Sequence, residues 1–308
     1  MKRFLLILLF FPLVLGAQEY VDVLKIGYGQ TFNNDFADAE GSTYVKSFEV
    51  DLTYPVVIHE NHALITGLNF SRNNLELLPG ADFTSLYSTT LKLGLASTLS
   101  EKWSSTVIML PKVASDYEKI KGDDFYFGGI ALLKYQKTDY LKYRFGLYAT
   151  SEAFGLFTTP IVGWYYLSPN NRFEMDMSLP IVADVNYCFG ATTIGIDYFG
   201  IGRSFRLYGN ASESSAYVDL SSLEFAGYVQ FNVLQKSVLL RAKLGYSSNN
   251  YEVYADGETI DLGLSAFSFG DDRTQLNPEL NGGIFLKFEA VYRFHLKKEK
   301  EEIETIID

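Results

Sequence analysis

The residues best suited to chemistry are few. His59 and His62 flank Glu60-Asn61 in a His-Glu-Asn-His segment, and two imidazoles at this spacing could supply two ligands to a zinc ion. No third ligand stands close in sequence, so the segment is predicted to be the polar tip of a hairpin. Cys188 is the single cysteine. An intrachain disulfide is therefore excluded, and nothing nearby in sequence would activate the thiol.

No other catalytic or metal-binding pattern stands out. A serine hydrolase embedded in a membrane would need His, Ser and an orienting partner on adjacent outward positions, yet the remaining histidine, His295, lies at the end of the last predicted strand. The acidic segments at 122–124 and 270–272 lack the ligand spacing of a calcium loop. The sequence therefore predicts a protein that is not an enzyme and that has no cofactor and no metal.

The elements that carry these residues are predicted to be strands, because apolar and polar side chains alternate along most of the chain. The alternation is clear at residues 48–54, 172–177 and 284–296, and a period of two gives a strand one apolar and one polar face. The segments are near ten residues or longer and are rich in Tyr (22) and Phe (24). This combination favours a transmembrane β-barrel over a soluble sandwich.

The connections between these segments alternate in length, which is a second barrel signal. Short turns are predicted at 58–62, 100–102, 137–139, 168–171 and 234–236. Long connections are predicted at 33–43, 72–84, 114–124, 208–215 and 248–281. Outer-membrane barrels place short turns in the periplasm and long loops outside. The predicted fold is an all-β antiparallel transmembrane β-barrel of about 12–14 strands. The strand boundaries are least clear at 179–202.

The ends of the chain suggest export and a separate tail. Met-Lys-Arg followed by an apolar run and Gly16-Ala17 is typical of a secretory signal peptide, and the run is shorter than the roughly 20 residues of a transmembrane helix. We expect a signal peptide at 1–17, a barrel at 18–296 and a charged tail at 297–308. The net charge of −11 argues against nucleic-acid binding, which needs a basic surface.

If the apolar face meets lipid, the charged face must line the lumen, because Arg or Lys at the membrane midplane costs roughly 2–4 kcal/mol. Basic residues concentrate on the last two strands and the first, acidic ones between Glu174 and Glu224, so a basic wall and an acidic wall are expected. These charges either surround a solvated pore or pair and fill a narrow barrel. The predicted lumen-lining residues are Lys25, Glu49, Asp51, Lys142, Arg144, Glu174, Asp176, Asp184, Asp197, Glu224, Arg241, Lys243, Lys287, Glu289 and Arg293.

The central part of the chain carries a recognisable pattern. Residues 141–187 read LKYRFGLYATSEAFGLFTTPIVGWYYLSPNNRFEMDMSLPIVADVNY, with a Pro-x-x-Gly-Trp strand and an alternating strand that ends in Leu-Pro. This segment resembles an outer-membrane β-barrel family of unknown function found in Bacteroidota. The resemblance implies fold and location, and it brings no activity or ligand. Such barrels usually end on an aromatic residue, whereas here a charged tail follows Phe294.

The expected location is the outer membrane of a Gram-negative bacterium. The expected partners are outer-membrane lipid, the barrel assembly machinery and small solutes, with no nucleic acid. The expected function is a narrow porin-like channel or a structural membrane protein with a charge-lined lumen. Two alternatives from other classes remain, a barrel enzyme that acts on lipid and a soluble secreted β-sandwich that binds a ligand.

Overall fold

The chain forms one closed antiparallel barrel of fourteen strands, in a computed structural model that describes residues 20–37, 39–208 and 215–295. Each strand pairs with the next along the chain, and the last pairs with the first. The predicted antiparallel barrel is therefore confirmed, with fourteen strands. The predicted signal peptide and charged tail lie outside the described residues. The strands are β1 (Tyr20–Phe32), β2 (Lys46–His59), β3 (His62–Leu75), β4 (Thr84–Thr98), β5 (Trp103–Ser115), β6 (Phe125–Thr138), β7 (Leu141–Glu152), β8 (Gly155–Leu167), β9 (Phe173–Leu179), β10 (Val182–Phe189), β11 (Thr192–Leu207), β12 (Ala216–Val233), β13 (Val238–Ser247) and β14 (Gly283–His295).

The side chains alternate across the wall as a period of two requires. On β14, Ile284 and Phe288 point outward and are 58% and 56% exposed, whereas Lys287 and Glu289 point inward and are 8% and 3% exposed. The arrangement inverts that of a soluble protein, because the apolar side chains face outward and the charged ones are buried. Among the described residues, no helix is long and apolar enough to cross a membrane.

The two ends of the barrel differ in their connections. Tyr20 pairs with His295, so both described chain ends lie at one end, here called the turn end, together with the short connections such as 60–61 and 139–140. The opposite, loop end carries the connections 76–83, 116–124 and 248–282, the described part of the connection between β1 and β2, and the adjoining ends of β11 and β12. The predicted alternation holds with two exceptions. Connections 153–154 and 180–181 at the loop end have two residues each.

Four strands in and next to the region 179–202 depart from a simple barrel wall. β9 and β10 have seven and eight residues, whereas β11 and β12 have sixteen and eighteen. The outer part of β12 pairs with the short strand Asn250–Ala255, which follows β13 after two residues. The wall is therefore low at the β9–β10 hairpin and high at the β11–β12 hairpin.

The tall hairpin crosses the lumen. Its outer part, residues 200–207 and 216–222, is here called the plug hairpin. Arg206 forms a parallel bridge with Ser115 of β5, although five strands separate β5 from β11 in the wall, so the hairpin reaches almost the opposite side. Its Phe205, Tyr217 and Val218 side chains are fully buried. In this outer segment apolar residues occupy both faces of β12, because both faces are covered by protein.

An apolar cluster closes the loop end around the plug hairpin. The cluster joins side chains of the plug hairpin to residues from the wall and from the long loops. Burial of these apolar side chains away from water holds the hairpin across the lumen. The members outside the plug hairpin include Phe36, Leu75, Leu77, Leu86, Tyr126, Phe154, Phe157, Tyr251, Tyr254, Ile260 and Leu280.

Candidate functional site

A cavity of about 650 Å³ occupies the half of the lumen nearer the turn end. Exposed residues of that end line its mouth, among them Asn171, Arg172 and Lys236. Its inner end reaches Glu49, Glu224 and Lys287. A volume of this size falls within the range of small-molecule pockets in proteins.

Thirteen of the fifteen residues expected in the lumen line this cavity. The other two are Asp51, whose carboxylate pairs with Lys92 (Nζ to Oδ1, 2.6 Å), and Lys142, which faces Tyr165 across the β7–β8 ladder. The thirteen are Lys25, Glu49, Arg144, Glu174, Asp176, Asp184, Asp197, Glu224, Arg241, Lys243, Lys287, Glu289 and Arg293.

Glu289 is the centre of an ion-pair network where the barrel closes. Its side chain is 0% exposed. Lys25 Nζ lies 3.1 Å from Oε1, and Lys243 Nζ lies 3.1 Å from Oε2. Arg241 Nη1 lies 3.7 Å from Oε2. A carboxylate removed from water in this way requires such partners, because desolvation of a single buried charge costs several kcal/mol.

The network continues onto an acidic row. Asp176, Asp184 and Asp197 are register partners on β9, β10 and β11, and like charges directly opposite one another are destabilising. Cations from other strands compensate this row. Arg144 pairs with Asp176 at 2.6 Å, and Arg241 lies 3.5 Å from Asp184.

Neutral side chains complete the cavity wall. The Tyr228 hydroxyl donates to Asp184 at 2.8 Å, and its ring lies under the Arg241 guanidinium, 4.1 Å from the ring centroid. Near the mouth, the Tyr20 hydroxyl donates to Glu174 at 2.5 Å. Tyr20 lines the cavity itself, and Tyr228 contacts two side chains that line it, Asp184 and Arg241. The prediction of lumen-lining residues considered only charged side chains and therefore did not include these tyrosines. The same alternation would have predicted them as aromatic residues on the inward face.

The plug hairpin is held by a buried carboxylate on the wall. Glu152 ends β7, and its Oε2 accepts hydrogen bonds from the Ser204 backbone N–H at 2.7 Å and from Ser204 Oγ at 2.8 Å. Its Oε1 pairs with Lys112 of β5. The Ser204 Oγ in turn accepts from the Ala153 N–H at 2.7 Å. The unpaired backbone edge of the hairpin is thus satisfied by side chains of the wall.

Arg273 fastens the longest loop to the same hairpin. Its guanidinium donates to Asp219 and to the Tyr217 hydroxyl, each at 3.0 Å. It also donates to both carboxylate oxygens of Asp271 at 2.9 Å and stacks over Tyr254. Hydrogen bonds from Arg273 hold the pKa of Asp271 below its usual value, so this contact weakens only as the pH falls through that lowered pKa.

A small space separates part of the plug hairpin from the wall. A pocket of about 30 Å³ adjoins the inner end of the cavity, room for one or two water molecules. Arg203 from the plug hairpin and Glu49, Glu224 and Lys287 from the wall line it. The plug hairpin and the apolar cluster around it therefore lie between the cavity and the loop end.

The residues first considered for metal chemistry lie elsewhere. His59 and His62 sit at the turn end with ring centroids 5.8 Å apart, and His62 Nδ1 lies 2.9 Å from Ser97 Oγ. Cys188 lies at the cavity mouth, 3.6 Å from Lys236 Nζ. Within the part of the chain that the structure describes, no three His, Cys, Asp or Glu side chains could hold a metal ion together.

Three solved structures illustrate what the chain is similar to. An outer membrane channel from Pseudomonas putida F1 has 10% identity and a TM-score of 0.46, with 92% of this chain and 97% of that chain covered. The NanC porin has 10% identity and a TM-score of 0.33, with 88% and 99% covered. A variant of the TodX monoaromatic hydrocarbon channel has 11% identity and a TM-score of 0.35, with 89% and 91% covered.

The sequence comparisons add one match. No curated protein matches the sequence significantly. Residues 65–193, which run from β3 into the start of β11, match the model of a domain of unknown function (DUF6268).

Proposed function

We propose that this protein is an outer-membrane β-barrel that acts as a closed, gated channel for small polar or charged solutes. The observation that carries the proposal is the charge-lined cavity of about 650 Å³ that ends at the plug hairpin. A solute entering from the turn end would meet water-accessible charges down to Glu49 and Lys287. Its further passage requires the plug hairpin to move, so the hairpin is the gate.

The outward surface supports the membrane location. Aromatic side chains pair near both ends of the outward apolar face, as in the girdles of membrane barrels. Trp103 and Tyr135 lie 4.8 Å apart near the turn end, and Phe48 and Phe70 lie 6.4 Å apart toward the loop end. Outer-membrane lipid and the barrel assembly machinery are therefore the proposed partners, with the turn end in the periplasm.

Replacing an outward residue in the middle of the wall should show whether that surface meets lipid. Ile196 on β11 is 64% exposed and faces outward. Ile196→Arg is expected to reduce the free energy of unfolding from lipid by about 2–4 kcal/mol, since a midplane arginine must be desolvated. Urea titration measures this change, with the folded protein recognised by its different gel migration before and after heating.

The matched control lies in a connection of the turn end. Leu99 is 59% exposed there, and Leu99→Arg is expected to cost only about 0–1 kcal/mol, as near an interface. Equal effects of the two substitutions would contradict the membrane location and would favour a soluble barrel.

A disulfide across the plug tests the channel. Ser115 and Arg206 are bridge partners on strands that such pairing places about 4.8 Å apart, within the Cα separation that a disulfide accepts. In a Cys188→Ser background, Ser115→Cys with Arg206→Cys is expected to abolish conductance in planar bilayers when oxidised. Reduction is expected to restore single-channel steps.

The Cys188→Ser protein with the same reductant is the control. Liposome swelling with graded sugars then gives the size of the open path. If neither the reduced variant nor the control shows single-channel steps, the proposal that the protein is a channel is wrong. It would favour the structural membrane protein, which the extensive ion pairing around Glu289 also suits.

A further inference from the structure

The wall has a gap above the short β9–β10 hairpin. Residues 155–161 of β8 extend beyond the last β9 partner, because Val162 pairs with Leu179. Residues 200–207 of β11 extend beyond the last β10 partner, because Val182 pairs with Phe199. This pair of unmatched segments is here called the wall gap. Since the second segment bends into the lumen, the two do not form a ladder.

The hairpin below the gap is too short to cross a membrane. A barrel strand needs about 9–11 residues for this, and β9 and β10 have seven and eight. Its tip is apolar, Leu179-Pro180-Ile181-Val182, whereas tips in water carry polar turn residues. On the proposed membrane location, on which this inference rests, the tip lies inside the hydrocarbon and the wall gap opens toward the loop-end half of the bilayer.

A separate piece of chain covers the gap. The long loop contributes Leu262–Leu264 and Phe267–Phe269, which pair with each other and are here called the cover hairpin. It holds β8 through two ladder pairs, Phe157 with Gly263 and Thr158 with Leu264. In the described residues, Phe267–Phe269 has no other strand partner. Phe267 and Phe269 are 66% and 52% exposed.

The solute cavity reaches the base of this gap. Val182, Ala183, Tyr198 and Phe199 line its edge at the upper end of β10. Immediately below them the acidic row and its cations lie close together, with Arg241 Nη1 3.5 Å from Asp184 and Lys243 Nζ 2.5 Å from Asp197. Above them the surroundings are apolar, with Phe157 and Ile260 each 6% exposed.

We propose that the wall gap is a lateral portal that admits a single-chain amphiphile with a zwitterionic head group. The charges of both signs beside Asp184 and Asp197 receive the head group, and the apolar chain lies between Phe157 and the cover hairpin. The cluster contains charges of both signs, which favours a zwitterion. An ion of one sign would be repelled by the side chains of like charge in the same cluster. The cover hairpin is the moving part, since it is joined to β8 by only two ladder pairs and by the hydrogen bond from the Ser265 N–H to the Thr158 carbonyl among the described residues.

A second lock tests the portal independently of the gate. Thr158→Cys with Leu264→Cys joins two register partners in the Cys188→Ser background. The probe is a photoreactive lysophosphatidylcholine in phosphatidylcholine vesicles, with labelled residues mapped by mass spectrometry. The reduced protein is expected to be labelled at residues 182–184 and 197–199. The oxidised protein is expected to lose this labelling and to keep labelling on the outward faces of distant strands.

Thr66→Cys with Leu93→Cys, partners on β3 and β4, is the matched lock and is expected to leave cavity labelling unchanged. Cavity labelling that survives the cover lock, or that is absent from the reduced protein, overturns the portal. Equal cavity labelling by a photoreactive fatty acid overturns the zwitterionic class. Two results together would reject the portal and retain the gated channel. In that case the Ser115–Arg206 disulfide changes conductance, whereas the disulfide between positions 158 and 264 leaves cavity labelling unchanged.

Discussion

Glu289→Gln is expected to lower the free energy of unfolding by about 3–5 kcal/mol, the cost of removing one partner from a buried ion pair. Glu289 is fully buried and lies among Lys25, Arg241 and Lys243. The amide that replaces it carries no charge, so three cations would remain near one another in a site with little water. Denaturant unfolding of the folded barrel, read by heat-modifiable migration, measures the loss.

The control for Glu289 is an ion pair at the cavity mouth. Asp22 accepts two hydrogen bonds from Arg293 at 2.6 and 3.0 Å, and its side chain is 42% exposed. Asp22→Asn is expected to cost only about 0.2–1 kcal/mol, because solvent screens an exposed pair. Similar losses at the two positions would show that burial does not set the strength of the network.

Glu152→Ala is expected to open the gate. The substitution removes the acceptor of two Ser204 hydrogen bonds and leaves Lys112 buried without its anion. A loss of about 3 kcal/mol in the closed state corresponds to an open population on the order of a hundredfold higher, since 1.4 kcal/mol is tenfold. Planar-bilayer recording is expected to show frequent open events, where the unmodified protein is mostly closed.

A double variant separates the two roles of Glu152. Lys112→Met with Glu152→Gln removes both charges and keeps an oxygen that can accept from Ser204. It is expected to remain closed, because the hairpin still finds its hydrogen-bond partner and no cation is stranded. Opening of this double variant to the same extent as Glu152→Ala would show that the ion pair, rather than the bond to Ser204, holds the plug hairpin.

The barrel itself could be predicted because its rule is local. Alternation along β14 already indicates that Lys287 and Glu289 share one face and Phe288 the other, and the structure places them so. Turn composition separated most of the strands. The two-residue connection at 180–181 was harder, because its apolar Pro180-Ile181 lacks the polar signature of a turn in water.

The pairing inside the lumen could be predicted only in part. Alternation indicates that Asp184, Asp197 and Arg241 point inward, but which of them meet depends on the stagger of β10 through β13. Arg241 lies directly opposite Gln230 in the ladder, and yet its guanidinium reaches Asp184 and Asp197. The contacts of Arg273 could not be predicted from the sequence, because this residue lies in an irregular loop without a strand period.

By itself, the amino-acid sequence determined the strands, their inward and outward faces and the near balance of charge among the fifteen predicted lumen-lining residues, since all three follow from a period of two. Only the tertiary structure decided that the outer halves of β11 and β12 leave the wall and close the lumen. That bend depends on contacts between distant positions, Ser204 with Glu152 and Tyr208 with Asp116. No local pattern encodes such contacts, because their free energy is realised only after the barrel has closed around them.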